Sequence, residues 1–410
     1  MALTRERLRS PERRHFLRAT CGAALAWLAP QPALSREGPS RVLVCVNLVG
    51  GLDGSSLLVP YREDAYYRAR PRIAVPPPGK PDGALPLVDG FGLHPKLEPL
   101  YQLYLARELA IVPAVGGARF GRSHFAARDA MHSGLDSVHG GTHDGWANRY
   151  ARARSDNDRA PRLFSTTPEL PMALLGEAPA EMAAGDRDLP RGEDDAAYLD
   201  ALQRLYEGSA DPFARSASRA LHLAEELREK ARRVRVGQRY SSAGRGLRDA
   251  ARLIAANVGA EVIWVEIGGF DTHRSQGGSH GLLANILARL GQDLFAFRQD
   301  VKGAFADVTL VTLTEFGRTL AETGAGGTDH GAASCMLVMG GRVRGGRLVG
   351  SWPGLDRASL HEGRELAVTT DYRAVLSEVL ELHLGLDPSA RRVVFPGFAP
   401  EPLGLYADGG

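Results

Sequence analysis

The sequence predicts an α/β fold with a mostly parallel central sheet and helices on both faces. Three apolar runs rich in β-branched residues, at 42–49, 261–267 and 308–313, have the composition of strands buried on both faces of a parallel sheet. Between the last two runs, residues 280–301 carry apolar side chains at helical spacing, which predicts an amphipathic helix. Strand, helix and strand of these lengths predict a right-handed βαβ unit.

The N-terminus has the pattern of an export signal. Paired arginines at 13–14 are followed by an uncharged apolar run at 21–29 and by small residues at 33–35. This order is typical of a twin-arginine signal peptide, and the alternative is a basic amphipathic helix of the mature fold. We therefore predict a signal peptide at 1–35, one mature domain at 36–410, a periplasmic or secreted location, and the twin-arginine export machinery as a partner.

Charge and hydrophobicity give no sign of a nucleic-acid-binding or membrane-spanning mature protein. The chain has a net charge of +2, and residues 1–35 contain six Arg and two Glu, so the mature chain carries +2 − 4 = −2. This balance gives no reason to expect nucleic acid as a partner. No other apolar stretch reaches the roughly 20 residues that cross a bilayer, so no transmembrane segment is predicted in the mature chain.

Cys45 and Cys335 lie within apolar runs, which favours buried free thiols over a disulfide.

Two segments in the first half combine glycine-rich turns with reactive side chains. The first strand ends at Gly50-Gly51, where glycines allow a sharp turn, and Asp53 follows. A second strand at 109–115 leads through a glycine-rich loop to Ser123 and a helix at 126–133. Ser123 either caps this helix or is a nucleophile whose target anion binds at the helix N-terminus.

The middle of the chain carries weaker signals. His139, His143 and Asp144 lie among glycines at a spacing that matches no metal motif, so we interpret this segment as a loop bordering the site. Residues 160–245 combine short extended pieces, an acidic loop and a charged helical region, which predicts a solvated helical cap over the sheet.

The segment around Asp271 organises the predicted site. The strand at 261–267 ends at Gly268-Gly269, and Asp271 and His273 follow just beyond it. Ligands bind at the carboxyl ends of strands in open α/β sheets, and the βαβ unit brings Glu315 to the same edge. For the Asp271–His273 pair alone, the alternative is a polar loop with a helix-capping aspartate.

Six side chains at these strand ends and loops are candidate metal ligands: Asp53, Asp271, His273, Glu315, Asp329 and His330. Carboxylates and imidazoles bind divalent ions, and two such ions can clamp the attacking and leaving oxygens of a hydrolysis. A bound cation also lowers the pKa of a nearby hydroxyl such as that of Ser123. The predicted cofactor is a divalent metal ion: zinc, calcium, magnesium or manganese.

The motifs also resemble a known family. The segments GGLDG, FGLHP, RSHFAARDAMHSG, GGFDTH, TEFGRT and GGTDHG, with the twin-arginine signal, are similar to those of domain-of-unknown-function family 1501 from Arg13 to about Pro353. That family resembles the alkaline phosphatase, sulfatase and phosphoglycerate mutase superfamily. The resemblance implies an alkaline-phosphatase-like fold.

The superfamily resemblance also implies roles for individual residues. These roles are ligation of one metal by Asp53, ligation of the other by Asp271, His273 and His330, and nucleophilic attack by Ser123. The superfamily usually has an Asp-His pair after the strand that ends at Thr314, where this chain has Glu315-Phe316. Asp329-His330 supplies such a pair one loop later. Two metals, one metal or none are the alternatives that these departures leave.

The function predicted from the sequence is an exported, metal-dependent hydrolase that acts on a small anionic phosphate or sulfate ester with Ser123 as nucleophile. Arg122 and Arg318 are expected to hold the anionic group, and the alternative for either arginine is a pairing with a surface acid. The alternative function is a non-catalytic exported binding or assembly protein that retains the fold, which Phe316 in the place of a histidine favours. A phosphomutase is the third alternative.

Overall fold

A computed structural model describes residues 41–117, 119–136, 144–154, 162–183, 201, 203–206, 211, 214, 218, 230 and 234–407. The predicted signal peptide, His139, His143 and most of the predicted cap lie outside these residues.

The described elements alternate strands and helices along the chain. The strands are β1 (Val42–Val49), β2 (Leu58–Val59), β3 (Leu85–Pro86), β4 (Gly92–Leu93), β5 (Leu109–Gly116), β6 (Arg162–Ser165), β7 (Ala180–Met182), β8 (Ala260–Gly268), β9 (Val308–Leu313), β10 (Gly317–Arg318), β11 (His330–Gly331), β12 (Ser334–Gly340), β13 (Arg347–Leu348) and β14 (Thr370–Asp371). The α-helices are α1 (Gly54–Leu57), α2 (Asp64–Ala69), α3 (Glu98–Leu105), α4 (His124–Ser133), α5 (Trp146–Arg154), α6 (Arg245–Ala255), α7 (Leu282–Asp300), α8 (Tyr372–Glu378) and α9 (Arg391–Val394). Short 3-10 turns lie at Pro95–Leu97, Met172–Leu174, Phe305–Asp307 and Pro388–Ala390, and a π-helical turn at Val379–His383 continues α8.

The main sheet of the described chain has nine strands and is mostly parallel. Its order is β13-β5-β12-β9-β1-β8-β6-β7, with β14 beside β5. Strand β12 is antiparallel to β5 and β9, whereas β1 is parallel to both β8 and β9. The fold class predicted from the sequence is therefore confirmed. Strands β8 and β9 flank β1 on opposite sides, so the predicted strand–helix–strand unit passes over one intervening strand.

Helices cover both faces of this sheet because the central strands are apolar on both sides. Val44 and Val46 of β1 belong to a core that includes residues of α3, α6 and α7. Leu43 and Cys45, which point to the opposite face, belong to a core that includes residues of α5 and α8. This alternation is the period-two geometry of a strand, and burial on both faces explains the nearly continuous apolar run, which Asn47 interrupts.

Two further features of the described chain concern its cysteines and its helices. Cys45 and Cys335 are buried free thiols, and burial raises the pKa of both. No helix of the described residues has the length and apolar character needed to cross a membrane.

Candidate metal centre

The carboxyl ends of β1, β8 and β9 meet at one edge of the sheet. Val49 pairs with Gly268, and Asn47 pairs with Leu313, so the three strands stop at nearly the same level. The loops that leave these strands carry the acids and histidines predicted from the sequence. Helix α4 begins beside them at His124.

Three imidazoles converge on the carboxylate of Asp271. Its Oδ1 lies 2.9 Å from Nε2 of His273 and 3.4 Å from Nε2 of His330. Its Oδ2 lies 3.6 Å from Nε2 of His124. The Nε2 atoms of His273 and His330 are 2.9 Å apart. In the described part of the chain, the ligand atoms of His124, Asp271 and His330 form a group within 4.8 Å of one another that could hold a metal ion.

The opposite ring nitrogen of each histidine faces an oxygen. Nδ1 of His124 lies 3.1 Å from Oε1 of Glu315, and Nδ1 of His330 lies 2.8 Å from the carbonyl oxygen of Arg122. Nδ1 of His273 lies 3.5 Å from Oδ1 of Asp329. Because a carbonyl or carboxylate oxygen only accepts, protons are assigned to Nδ1 of His124 and of His330, which leaves their Nε2 lone pairs for a cation next to Asp271.

These distances fit a bound metal ion. Ligand atoms about 2.0–2.1 Å from a tetrahedral zinc ion are about 3.3–3.4 Å from one another. Four of the contacts among these side chains run from 2.9 to 3.6 Å, and the group within reach of one ion is His124, Asp271 and His330, with His273 beside it. A proton on Nε2 of His273 accounts for its 2.9 Å contacts with Asp271 and with Nε2 of His330 when no ion is bound, and a bound cation would replace that proton. Orientation of histidine ligands by oxygen acceptors on Nδ1 is also usual in metal sites.

Two titratable groups of the site, Asp271 and His330, have lowered pKa values. Burial raises the pKa of Asp271, but the hydrogen bond and the charge of Arg318 outweigh it and hold that pKa below its usual value. Burial lowers the pKa of His330, and the charges of Arg318 and His124 add to this effect. An ionised carboxylate and a neutral imidazole are the protonation states that bind a metal.

Glu315 lies behind His124 and does not face Asp271 directly. Its carboxylate is buried and accepts hydrogen bonds from the backbone N–H groups of Gly50, at 2.9 Å, and Gly51, at 3.3 Å. Both glycines have positive φ, at 120° and 75°. The sequence suggested Glu315 as a direct ligand, and in the structure its carboxylate contacts Nδ1 of His124.

Phe316 forms an apolar wall of the site. Its buried ring has its centroid 4.5 Å from that of His330 and 4.8 Å from that of His124. The superfamily resemblance leads one to expect a histidine here. In the structure the third imidazole comes from His124, on a different element.

His124 is the site residue that the sequence analysis missed. It directly follows Ser123, at the junction of a glycine-rich loop and a helix where the predicted roles fell on Arg122 and Ser123. The residue type alone could have indicated this role, because histidine is the commonest metal-binding side chain and this one lies beside a predicted nucleophile.

Asp53 lies outside the imidazole group. Its carboxylate is buried and bonded to Arg70, Ser56 and Gln276. Burial raises the pKa of Asp53, but the charge of Arg70 and the three partners' hydrogen bonds hold it below its usual value. Asp53, which was expected to bind one of two metal ions, is thus paired in the structure with the guanidinium of Arg70.

The two arginines expected to hold an anion are bonded within the protein. The guanidinium of Arg318 is fully buried and donates to Asp271 and to backbone carbonyl groups, which belong to Gly50, Gly51, Phe270 and Thr328. The guanidinium of Arg122 is paired with Glu362 and Glu365. Arg122 is therefore paired with acidic side chains, which was the alternative to its holding an anion.

Ser123 is the exposed N-cap residue of α4, and its hydroxyl makes no capping hydrogen bond. Capping therefore does not occupy the hydroxyl. The first N–H groups of a helix have no partner within the helix, so an anion could bind here beside His124.

Comparison with known proteins gives a family and distant structural likenesses. The family model described as "Protein of unknown function (DUF1501)" matches residues 122–395, more than half of the chain. No curated protein sequence matches the chain.

Among solved structures, a mutant of the alkaline phosphatase PafA is similar at 10% identity and a TM-score of 0.36, over 69% of this chain and 64% of that one. The C-terminal periplasmic domain of EptC from Escherichia coli, in complex with Zn, is similar at 11% identity and a TM-score of 0.39, over 92% of each chain. A protein in the alkaline phosphatase superfamily from Vibrio parahaemolyticus is similar at 10% identity and a TM-score of 0.32, over 80% of this chain and 68% of that one.

Proposed function

The chain belongs to domain-of-unknown-function family 1501, and we propose that it is an exported, metal-dependent hydrolase of phosphate or sulfate esters with Ser123 as nucleophile. The observation that carries the proposal is the convergence of three Nε2 atoms on the carboxylate of Asp271. The twin-arginine pattern at 13–14 supports export to the periplasm or beyond.

The donor set favours zinc among the four ions expected from the sequence. His124, His273 and His330 offer three nitrogen atoms, and Asp271 offers oxygen. Calcium and magnesium prefer sites made of oxygen ligands, whereas imidazole suits zinc and other transition metals. When bound, such an ion supplies a Lewis acid that stabilises negative charge on the reacting ester.

The protein groups around the proposed metal position have separate roles. Glu315 and the carbonyl oxygen of Arg122 orient the two imidazoles that they contact. Arg318 keeps Asp271 ionised and ties it to the backbone of the neighbouring loops. In our proposal both arginines position the site, and the ester anion binds at the N–H groups that begin α4.

Ser123 is the candidate nucleophile because its hydroxyl is exposed, free of a capping bond and next in the chain to His124. Its attack on phosphorus or sulfur forms a bond to Oγ and breaks the bond to the leaving ester oxygen, which takes up the hydroxyl proton and departs as an alcohol. Water then hydrolyses the serine ester, which returns a proton to Oγ and releases phosphate or sulfate. Phe316 shields one side of the imidazole group from solvent.

The test measures metal content and turnover on protein that has been folded and exported natively. Elemental analysis gives the metal per chain, and p-nitrophenyl phosphate and p-nitrophenyl sulfate report hydrolysis. Ser123→Ala should retain the metal and lose turnover, whereas Ser389→Ala, at another exposed serine, should retain both. Metal-free, inactive wild-type protein would sink the proposal. Stoichiometric metal without hydrolysis of either ester would support the non-catalytic binding or assembly function instead.

A further inference from the structure

Arg70 and Asp53 form a buried ion pair between the two short helices that follow β1. Both side chains are almost fully buried, at 0% and 1% exposure. Nη1 of Arg70 lies 2.7 Å from Oδ2 of Asp53, and Nη2 lies 2.9 Å from Oδ1. This two-point geometry is the strong form of an arginine–carboxylate pair.

Both oxygens of the Asp53 carboxylate are bonded to protein donors. Four donors reach the carboxylate, three of them at Oδ2 and one at Oδ1. Besides the two from Arg70, these are Oγ of Ser56 at 2.8 Å and Nε2 of Gln276 at 2.6 Å. Because Arg70 already balances the charge of Asp53, a second cation there would be buried beside a guanidinium without a countercharge.

The same network reaches the loops that carry the metal ligands. Oε1 of Gln276 accepts hydrogen bonds from Oγ1 of Thr272, at 2.8 Å, and Oγ1 of Thr328, at 2.9 Å. Thr272 lies between Asp271 and His273, and Thr328 lies two residues before His330. Gln276 therefore connects the Arg70–Asp53 pair to both ligand loops.

We propose that the guanidinium of Arg70 takes the place of a second metal ion, so that the protein binds one divalent ion per chain. The pair also positions the ligand loops through Gln276. This inference rests on the proposed metal centre and fixes its metal number, which the sequence left as two, one or none.

The first experiment counts metal in the wild-type protein. Zinc is measured by elemental analysis after natively exported protein is equilibrated with excess Zn²⁺ and desalted, and Co²⁺ titration is followed by visible absorption. We expect one ion per chain and a single-step titration. Two ions per chain would overturn the inference but leave the hydrolase proposal intact. Zero ions would overturn both, and one ion without ester hydrolysis would overturn only the hydrolase proposal.

The second experiment tests the positioning role with a neutral pair. Arg70→Met combined with Asp53→Asn removes both charges, which avoids an unpaired buried charge. We expect one Zn²⁺ per chain at about tenfold weaker affinity, the usual effect of losing an outer partner of metal ligands. Gln276→Leu should weaken the Zn²⁺ affinity similarly while retaining the Arg70–Asp53 ion pair. This variant provides the test if the double variant does not fold.

A matched control separates positioning from general destabilisation. Arg298 and Glu108 form another two-point pair, on α7 and before β5. Arg298→Met with Glu108→Gln should leave the Zn²⁺ affinity unchanged. Equal loss of affinity in both double variants, or no loss in Gln276→Leu and the Arg70 double variant, would contradict the positioning role.

Discussion

Nδ1 of His124 lies 3.1 Å from Oε1 of Glu315, and this contact directs Nε2 of the same imidazole toward Asp271. Glu315 is held in turn by the backbone N–H groups of Gly50 and Gly51 at the end of β1. The contact therefore joins β1, β9 and α4 at one ligand.

Replacement of Glu315 by Gln should weaken Zn²⁺ binding without removing it. The amide oxygen can still accept from Nδ1, but the negative charge that makes the imidazole a better ligand is lost. We expect affinity to fall about 10-fold to 100-fold, measured by competition with a chromophoric chelator. Glu266→Gln on β8 is the control and should bind zinc as the wild type does. Unchanged affinity in Glu315→Gln would contradict the role assigned to this carboxylate.

Gly50→Ala should disturb the site because the backbone of Asp271 lies close to Gly50. A Cβ atom at Gly50 would lie 2.4 Å from the backbone nitrogen of Asp271, and φ is +120°. Gly79 also has positive φ, at +84°, but a Cβ atom there meets nothing within 4 Å. We expect both variants to lose about 1–3 kcal/mol of stability from backbone strain, and only Gly50→Ala to lose zinc affinity. Equal zinc affinity in the two variants would show that the close approach does not matter.

Phe316→Ala should be strongly destabilising because it empties a buried aromatic position against two imidazoles. Removal of a buried phenylalanine side chain costs about 3–5 kcal/mol, which urea denaturation of the variant can measure. Phe125, which is 73% exposed, provides the control. Phe125→Ala should change the free energy of unfolding by less than about 0.5 kcal/mol. A loss below 1 kcal/mol in Phe316→Ala would contradict the packing described here.

Stability should fall as the solution becomes more acidic, in part because of His132. Burial, with a smaller contribution from the charge of Arg128, lowers the pKa of His132 from 6.5 to about 3. Between these values the unfolded chain binds a proton that the native chain does not, so the free energy of unfolding decreases as pH falls below 6.5.

The variant His132→Phe keeps the aromatic contact with Trp264 and removes this titration. Between pH 7.0 and 5.5 it should lose about 1 kcal/mol less stability than the wild type, measured by urea denaturation at both pH values. An equal loss in both proteins would show that His132 does not contribute.

The sequence predicted the sheet well because its signal is local. The apolar runs of β1 and β9 have the bounds expected from their composition, and β8 is one residue longer at each end. Asp271, His273 and His330 were predicted because each lies in a glycine-rich loop, two of them directly after a strand. Such patterns depend on short stretches of chain.

The rest of the site depends on contacts between distant segments. His124 and Glu315 are separated by 191 residues, and neither residue's neighbours indicate that one orients the other. The sequence also gave no sign that Asp53 faces Arg70, because Arg70 lies at the end of a short helix whose direction of packing only the fold determines. The distinction between a ligand and its supporting partner is thus a tertiary property.

The most direct test of the metal centre is zinc-edge X-ray absorption on natively exported protein, compared with His124→Ala and His280→Ala. We expect one zinc per chain, with nitrogen and oxygen ligands at about 2.0–2.1 Å and imidazole scattering. His124→Ala should lose one imidazole or the zinc itself, and His280→Ala, at an exposed histidine paired with Asp82, should match the wild type. Absence of stoichiometric metal from the wild type, or a spectrum that His124→Ala leaves unchanged, would contradict the account.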